Sequence, residues 1–306
     1  MSKSSAKTAV TQSFGEKKQR LATAGCLERL KSAVEIDQEL AERFGAYAGY
    51  ETAVSPTVET YGDDPRQEIK RLLTHYLTPE SHVLDLGCGA GQTLCRIAPQ
   101  VAEAWGFDQE PALLEGARQR VAHLGLTNVT LIEGNAAIPG DAAPLPDDHF
   151  DVVYTERGPG INEWLLPKLK EGGTYLQELV GQYDGFHLQE FLGRRPLTTY
   201  AFGNQSDFMM AALANLGIRL ISRRDFYYDA FFRDVDHLEA FLIQVPVNLS
   251  NWRLDLKPYQ VEQDRAALEL YARYNRTERG IRLLQHRSIF VGFRAPVHYY
   301  PVDEVR

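Results

Sequence analysis

The hydrophobic and polar positions between residues 82 and 180 alternate between short apolar runs and longer stretches of helical spacing. Runs of about four to eight apolar residues are typical of strands, whereas apolar positions three or four residues apart are typical of amphipathic helices. Because strands that alternate with helices form parallel sheets, the pattern predicts a doubly wound α/β fold. The predicted strands are residues 82–86, 104–107, 129–132, 150–154 and 173–179, and the predicted helices are 93–101, 111–124 and 163–169.

The segments on either side of this alternation predict further elements. Residues 1–15 are rich in Ser, Thr and Lys, which is typical of disordered chain, and a helical pattern runs from residue 26 to residue 44. Helices are also predicted at 65–77 and 205–216, and strands at 219–228 and 281–292. We therefore expect four parts: a disordered tail with an N-terminal helical extension (1–60), an α/β core (61–233), a helical insertion (234–279), and the last core strand with the C-terminus (280–306).

Composition and charge narrow the class of protein. The 306 residues, 44% of them hydrophobic, allow a large core without disulfides or metals, and the net charge of −8 disfavours non-specific nucleic-acid binding. Three cysteines without zinc-site spacing and eight scattered histidines predict neither a disulfide framework nor a structural metal site. We find no export signal and no apolar stretch of about 18 residues, so we expect a cytoplasmic protein that does not enter a membrane.

The strongest chemical signal is the run VLDLGCGAG at residues 83–91. An apolar strand carries an acidic residue, Asp85, near its end, and Gly87, Gly89 and Gly91 follow. Glycines permit a tight strand-to-helix turn and let a ligand approach the backbone, while the carboxylate can meet a cationic ligand group. A dinucleotide fingerprint needs a small residue at position 92, where this chain has glutamine. A nicotinamide oxidoreductase is therefore the least favoured interpretation.

Two further polar positions follow the next two predicted strands. Asp108 lies 21 residues after Gly87 (108 − 87), close to the spacing at which such folds place a carboxylate against ribose hydroxyls. Asn135, with the backbone amide of Ala136 beside it, is placed to hydrogen-bond an adenine edge, although asparagine is also favoured in turns for its own local bonds. The predicted cofactor-binding set is completed by neighbouring or strand-end positions: Cys88, Gln109 and Thr155.

The stretch from about residue 67 to residue 179 resembles the class I S-adenosylmethionine (SAM)-dependent methyltransferase family. Asp85 and the three glycines match the first motif of that family, and Asp108 matches its ribose-binding acid. The runs LPDDHFDVV at 145–153 and LKEGG at 169–173 resemble the approaches to its fourth and fifth strands. The resemblance implies a Rossmann-like sheet of seven strands with the last one antiparallel, SAM as cofactor and S-adenosylhomocysteine as product. The family usually has Asp at the position of Asn135.

By the same resemblance, the end of the fourth strand faces the methyl donor, and Glu156 and Arg157 are the charged residues expected to face the substrate. Glu156 is suited to act as a general base or to bind a substrate cation. Arg157 is suited to pair with an acidic substrate group or with Glu156, and a salt bridge without a chemical role is the alternative. Because methyl transfer is an in-line displacement, positioning supplies most of the rate and a dedicated base is optional.

The expected function is methyl transfer to a small-molecule acceptor. The turn TERGP at 155–159 lacks the Asn/Asp-Pro-Pro-aromatic pattern of enzymes that methylate exocyclic amines of nucleic-acid bases. The alternatives are an RNA or protein methyltransferase and a SAM-binding protein without catalysis, and the oligomeric state stays open. We also expect the N-terminal helix and the insertion to cover the substrate entrance with aromatic residues: Tyr47, Tyr50, Tyr61, Tyr227, Tyr228, Phe231, Phe232 and Trp252.

Overall fold

The computed structural model describes residues 54–193, 205–244 and 259–296. The predicted disordered tail and N-terminal helix lie outside these ranges, as do Tyr47, Tyr50 and Trp252. None of the helices within the three ranges is long and apolar enough to cross a membrane.

The centre of the fold is one mixed sheet in which β2 to β6 are parallel and β9 runs antiparallel between β6 and β7. The strand order is β1-β7-β9-β6-β5-β2-β3-β4, with β8 paired to β9. The doubly wound α/β fold is thus confirmed, and β1 and β8 are additions to the seven implied strands. The strands are β1 (Thr57–Thr60), β2 (His82–Leu86), β3 (Glu103–Asp108), β4 (Val129–Glu133), β5 (Phe150–Glu156), β6 (Leu169–Val180), β7 (Ile218–Phe232), β8 (Arg276–Thr277) and β9 (Gly280–Arg294).

Helices occupy most of the predicted positions, with two differences. The predicted helix at 163–169 is wrong: only a 3-10 turn, Leu166–Lys168, forms there, because Pro167 has no backbone N–H to continue a helix. The helix predicted at 93–101 ends early at Ile97, and a 3-10 turn containing Pro99 follows. The α-helices are α1 (Pro65–Tyr76), α2 (Gln92–Ile97), α3 (Pro111–Leu124), α4 (Phe186–Phe191), α5 (Gln205–Leu216), α6 (Val235–Gln244) and α7 (Val261–Tyr274).

The segment 57–60, which the sequence places in a helical extension, is instead the edge strand β1. It pairs antiparallel with β7, Thr57 opposite Phe231 and Thr60 opposite Tyr228. The segment TVET is rich in β-branched residues, which pack well on a pleated surface. The partner strand lies about 170 residues later in the chain, so the helical pattern further upstream could not indicate this pairing.

The hydrophobic core lies on both faces of β2, whose last four residues are buried. Val83 packs on one face of the sheet, and Leu84 and Leu86 belong to the cluster on the other face. On α3 the buried positions are Leu114 and Ala117, whereas Leu124, predicted on the same apolar face, is 54% exposed. Leu124 is the last residue of α3, beyond the part of the helix that covers the sheet.

Strands β7 and β9 continue past the carboxyl end of β6. The β6–β9 pairing ends at Val180 opposite Arg287, whereas β7 and β9 stay paired as far as Phe232 opposite Ile281. Helices α6 and α7 pack on this two-stranded extension through a separate buried cluster that includes Phe232, Leu268 and Tyr271. The N–H of His237 donates to the Asp234 carboxylate at 2.8 Å, so Asp234 caps α6. Helices α6 and α7, the described helices of the predicted insertion, therefore lie beyond the carboxyl edge of the parallel strands.

Candidate active site

A turn with three left-handed glycines connects β2 to α2. Gly87, Gly89 and Gly91 have φ values of 79°, 53° and 72°, a region that strains residues with a Cβ. The N–H of Gly87 donates to the Phe107 carbonyl at 2.7 Å, which ties the turn to the end of β3. The turn predicted from the sequence therefore forms at the carboxyl edge of the sheet, where ligands bind in open α/β folds.

The three glycines differ in what surrounds them. A Cβ on Gly87 would lie 2.8 Å from Pro159 Cδ, and one on Gly91 would lie 3.1 Å from the Ala117 side chain. A Cβ on Gly89 would meet only Leu113 Cδ1, at 3.9 Å. Internal packing therefore explains Gly87 and Gly91, whereas the space beside Gly89 is open to a ligand.

Asp108, at the end of β3, is held by the turn it faces. Its Oδ2 accepts the N–H of Gly89 at 2.7 Å, and its Oδ1 accepts the N–H of Glu110 at 2.9 Å. A carboxylate oxygen has two acceptor sites, so each oxygen retains one for a ligand hydroxyl. Gln109, also predicted to bind cofactor, is exposed beside it. The arrangement fits recognition of a ribose diol at the open side of Gly89.

Asp85 is a buried carboxylate without a cationic side chain paired to it in the described ranges. It is 3% exposed, and its Oδ2 accepts the hydroxyl of Tyr154 at 2.7 Å. Burial raises the pKa of the Asp85 carboxyl well above its usual value, and the charges of Glu156 and Asp108 raise it further, against the Tyr154 hydrogen bond. A cationic ligand group would supply the missing opposite charge. Tyr154, which the sequence analysis did not single out, orients this carboxylate.

Cys88 contributes to this turn by packing. It is 7% exposed, and burial raises the pKa of its thiol, with the charges of Asp85 and Asp108 adding to the effect. A Cβ on Gly106 would lie 2.8 Å from Cys88 Sγ, so the neighbouring strand must carry glycine there. Because the thiol stays protonated, Cys88 is no nucleophile, and only its backbone is available to a cofactor.

Asn135 uses its side-chain oxygen locally. Its Oδ1 accepts the N–H of Ala137 at 2.8 Å, which is the turn bond that the sequence left open as the alternative to adenine binding. The carbonyl of Ala136 accepts from Asn162 Nδ2 and Trp164 Nε1, both at 2.8 Å. These bonds fix the loop after β4, so contact with adenine through Asn135 and Ala136 stays a prediction.

The end of β5 places Thr155, Glu156 and Arg157 in three different environments. Thr155 is fully buried, and its Oγ1 has no hydrogen-bond partner in the described part of the chain. Arg157 takes a left-handed conformation, with φ 61°, and its Nε lies 3.8 Å from Glu178 Oε2. The pairing of Arg157 with Glu156 that the sequence allowed does not form, because Glu178 on the neighbouring strand is its partner. The charge of Glu156 acts on both Asp85 and Glu178.

A buried charged network beside β5 is the feature that sequence reasoning missed. Glu178 on β6 lies 3.9 Å from Arg287 on β9, and Arg287 Nη1 contacts Asp184 at 2.5 Å. Burial raises the pKa of the Glu178 carboxyl, while Arg157 and Arg287 act to lower it. The available signal was the polar pair Gln177-Glu178, which interrupts the apolar residues near the end of β6.

Several buried polar atoms in and beside this network are available to hydrogen-bond a ligand. In the described ranges, Asp184 Oδ2, Gln177 Oε1 and Gln285 Nε2 are buried without hydrogen-bond partners. Buried polar atoms are normally paired, so a set of unpaired ones at the carboxyl edge of a sheet is a common property of ligand sites.

A family model described as a methyltransferase domain matches residues 77–175. The chain is 32% identical over 146 residues to the uncharacterised methyltransferase YcgJ of Bacillus subtilis, covering 44% of this chain and 55% of that protein. It is 35% identical over 108 residues to a protein-L-isoaspartate O-methyltransferase of Dinoroseobacter shibae. This alignment covers 35% of this chain and 47% of that protein. This chain thus spans about half the length of these two relatives.

Among solved structures, one protein of unknown function from Deinococcus radiodurans superposes with a TM-score of 0.52 at 19% identity. The superposition covers 78% of this chain and 92% of that one. At this identity the similarity concerns the fold alone. It covers a longer part of the chain than residues 77–175, which match the family model.

Proposed function

We propose that this protein is a SAM-dependent methyltransferase that transfers a methyl group from SAM to a small polar acceptor, a proposal supported by the match of residues 77–175 to a methyltransferase-domain model. The observation that carries the proposal is that a buried carboxylate without a cationic partner in the described ranges, Asp85, lies near the open space beside Gly89 and near Asp108, whose two oxygens each accept one backbone N–H. These three features suit a ligand that carries both a cationic group and a hydroxylated sugar.

The residues of the turn fit SAM by their chemistry. Asp108 has acceptor positions for ribose hydroxyls, Asp85 offers a negative charge to a cation, and Gly89 leaves the backbone open. SAM, when bound, supplies an electrophilic methyl group on a positively charged sulfur. The protein's share is to orient that group and to keep water away from it.

The acceptor side of the proposal rests on the ends of β5 and β6. The charge of Glu156 acts on both Asp85 and the buried Glu178, and Arg157 and Arg287 lie 3.8 and 3.9 Å from the Glu178 carboxylate. A buried carboxyl with a raised pKa is suited to accept a proton from an acceptor hydroxyl or amine. We assign Glu178 this role, and Glu156 the binding of the acceptor.

A small acceptor is favoured by the position of the network. The β7–β9 extension and the helices packed on it lie beyond the carboxyl edge of β6, and Arg287, opposite the last residue of β6, is buried. A charged network inside the fold can enclose a small molecule more readily than it can meet a folded macromolecule. The net charge of −8 also disfavours an RNA acceptor.

A protein acceptor is the second candidate, because one relative is a protein-L-isoaspartate O-methyltransferase. The two candidates differ in where the methyl group goes. We would incubate the full chain with methyl-labelled SAM and a cell extract, and then separate small-molecule filtrate, protein and RNA. The proposal predicts label in the filtrate, whereas label in the protein fraction supports the second candidate. Binding of SAM without label in any fraction contradicts catalysis.

Glu178→Gln is the variant that tests the acceptor side. Loss of a general base costs about a hundredfold or more in turnover, so we expect labelling to fall strongly while SAM affinity stays within about twofold of wild type. The matched control is Glu115→Gln on the exposed face of α3, which should change neither quantity. Undiminished labelling by Glu178→Gln would remove Glu178 from the mechanism.

A further inference from the structure

Two histidines and a glutamate meet at the amino edge of the sheet, opposite the proposed methyl-transfer site. His82 is the first residue of β2, Glu103 is the first residue of β3, and His149 directly precedes β5. The parallel register places His82 beside Glu103, and the backbone N–H of His82 donates to Asp151 on β5 at 2.9 Å. One ligand atom from each of His82, Glu103 and His149 lies within 4.8 Å of the others.

The contacts within this cluster leave one group without a partner. His149 Nε2 lies 3.0 Å from Glu103 Oε2, and the rings of His82 and His149 stack with centroids 4.4 Å apart. His82 Nδ1 is buried and has no hydrogen-bond partner in the described ranges. The hydrogen bond between His149 and Glu103 therefore accounts for two members of the cluster and leaves His82 Nδ1 without a partner.

We propose that His82, Glu103 and His149 bind one divalent transition-metal ion, with Zn²⁺ as the best-fitting class. Two imidazole nitrogens and one carboxylate oxygen are a recurrent zinc ligand set, and water fills the fourth position. An ion bound through His82 Nδ1 would give this nitrogen a partner, which the hydrogen bond between His149 and Glu103 does not.

The surroundings supply the support that metal ligands need. Trp105 Nε1 donates to Glu103 Oε2 at 3.0 Å, and the Trp105 ring meets His149 edge-on at 5.9 Å between centroids. A hydrogen bond to a ligating carboxylate fixes its orientation and sustains metal affinity. It also makes Trp105 a fluorescent reporter placed against two of the three ligands.

The sequence predicts no metal site because metal-binding residues close together in the chain are absent. The three ligands are separated by 21 and 46 positions (103 − 82 and 149 − 103), so only the pairing of β2 with β3 and β5 brings them together. The ion would connect the amino ends of three parallel strands. The five residues of β2, at about 3.3 Å each, separate it from the glycine turn by roughly 15 Å. The expected consequence is thermal stability rather than a change in SAM binding.

The test uses the full chain, free of any affinity tag and stripped with a chelator. Calorimetric titration with Zn²⁺ should show one equivalent with a dissociation constant of about a micromolar or less, accompanied by a change in tryptophan emission. At about a hundredfold excess over that constant, the melting temperature should rise by about 5 °C or more. Titration with Co²⁺ should give the visible absorption of a four-coordinate site.

Variants identify the ligands. His82→Gln, Glu103→Gln and His149→Gln should each weaken Zn²⁺ binding by about tenfold or more. Two controls on the exposed surface of α3, His123→Gln and Glu115→Gln, should leave it unchanged. SAM affinity, measured on every variant, should stay within about twofold of wild type and shows that each variant is folded.

Three outcomes would overturn the proposal. The first is the absence of stoichiometric Zn²⁺ binding by the stripped protein. The second is binding that His82→Gln leaves unchanged, which would reduce the cluster to the hydrogen bond between His149 and Glu103. The third is an equal loss of binding in His123→Gln, which would mean an adventitious ion only.

Discussion

Two carboxylates at the carboxyl edge of the sheet are buried to the same degree but differ in their electrostatic partners. Asp85 is 3% exposed and accepts one hydrogen bond, from an uncharged tyrosine. Asp184 is also 3% exposed, yet its Oδ1 contacts the Arg287 guanidinium at 2.5 Å and accepts the N–H of His286 at 2.8 Å. Burial of a charge is tolerated when an opposite charge is buried with it and is costly otherwise. The comparison teaches that Asp184 maintains the fold, whereas Asp85 is suited to a cation that arrives with a ligand.

The largest loss of stability is expected on breaking the buried ion pair of Asp184 with Arg287. Among the residues that the structure describes, Asp184→Asn leaves the buried guanidinium of Arg287 with one anionic partner, Glu178, at 3.9 Å. Removing one member of a buried pair costs about 3–5 kcal/mol in the free energy of unfolding, which denaturant titration would measure. The control is Asp236→Asn, whose carboxylate is 82% exposed beside Arg265 and should cost less than about 1 kcal/mol. Equal losses for both variants would contradict the comparison.

Removing the charge of Asp85 is expected to raise the stability of the protein rather than lower it. The pKa of the Asp85 carboxyl is raised in the folded state. Its contribution to the free energy of unfolding is therefore fully present below the pKa of the unfolded carboxyl, about 3.9, and is lost as the pH rises through the pKa of the folded state. Asp85→Asn removes this titration and keeps an oxygen for the Tyr154 hydroxyl. We expect the variant to melt a few degrees above wild type at pH 8, with the difference vanishing towards pH 4, and to bind SAM about tenfold or more weakly. A variant that is less stable than wild type at pH 8 would count against an unpaired charge at this position.

A smaller change in stability is expected on removing the Tyr154 hydroxyl, which donates a hydrogen bond to Asp85. Tyr154→Phe deletes the hydrogen bond to the Asp85 carboxyl and should lower the free energy of unfolding by about 1–3 kcal/mol at pH 8. In the Asp85→Asn background the same change should cost less, because a hydrogen bond to a neutral group is weaker. A double-mutant cycle measures the difference, and strict additivity would show that the two side chains do not interact.

The parts that the sequence could predict are those defined by neighbours in the chain. The turn with Gly87, Gly89 and Gly91 needs a specific residue type at each position, and Asp108 follows at a spacing set by one helix and one strand. Helices α3 and α5 have the bounds that their apolar periodicity predicts. Each of these features depends on interactions that the local sequence displays.

The parts that could not be predicted depend on strand register between distant segments. Glu178 and Arg287 are 109 positions apart (287 − 178) and meet because β6 and β9 pair antiparallel. Tyr154 lies opposite Asp85 through the β2–β5 register, and β1 finds its partner in β7. Pairing of this kind is decided by the whole sheet, so a single sequence shows the residues but not their contacts.

Titration of SAM into the purified protein by calorimetry tests the central claim most directly. It would be run on wild type, Gly89→Ala and Gly125→Ala. Both glycines are left-handed, with φ 53° and 63°, and an added Cβ would make no close contact within the protein at either position. Their melting temperatures should therefore fall by similar amounts.

We predict that wild type binds SAM with a dissociation constant of about a micromolar. Gly125→Ala should match it, and Gly89→Ala should bind about tenfold or more weakly, because only the Cβ at Gly89 occupies the proposed cofactor space. No SAM binding by wild type, or equal affinity in the two variants, would contradict the assignment of this turn as the cofactor site.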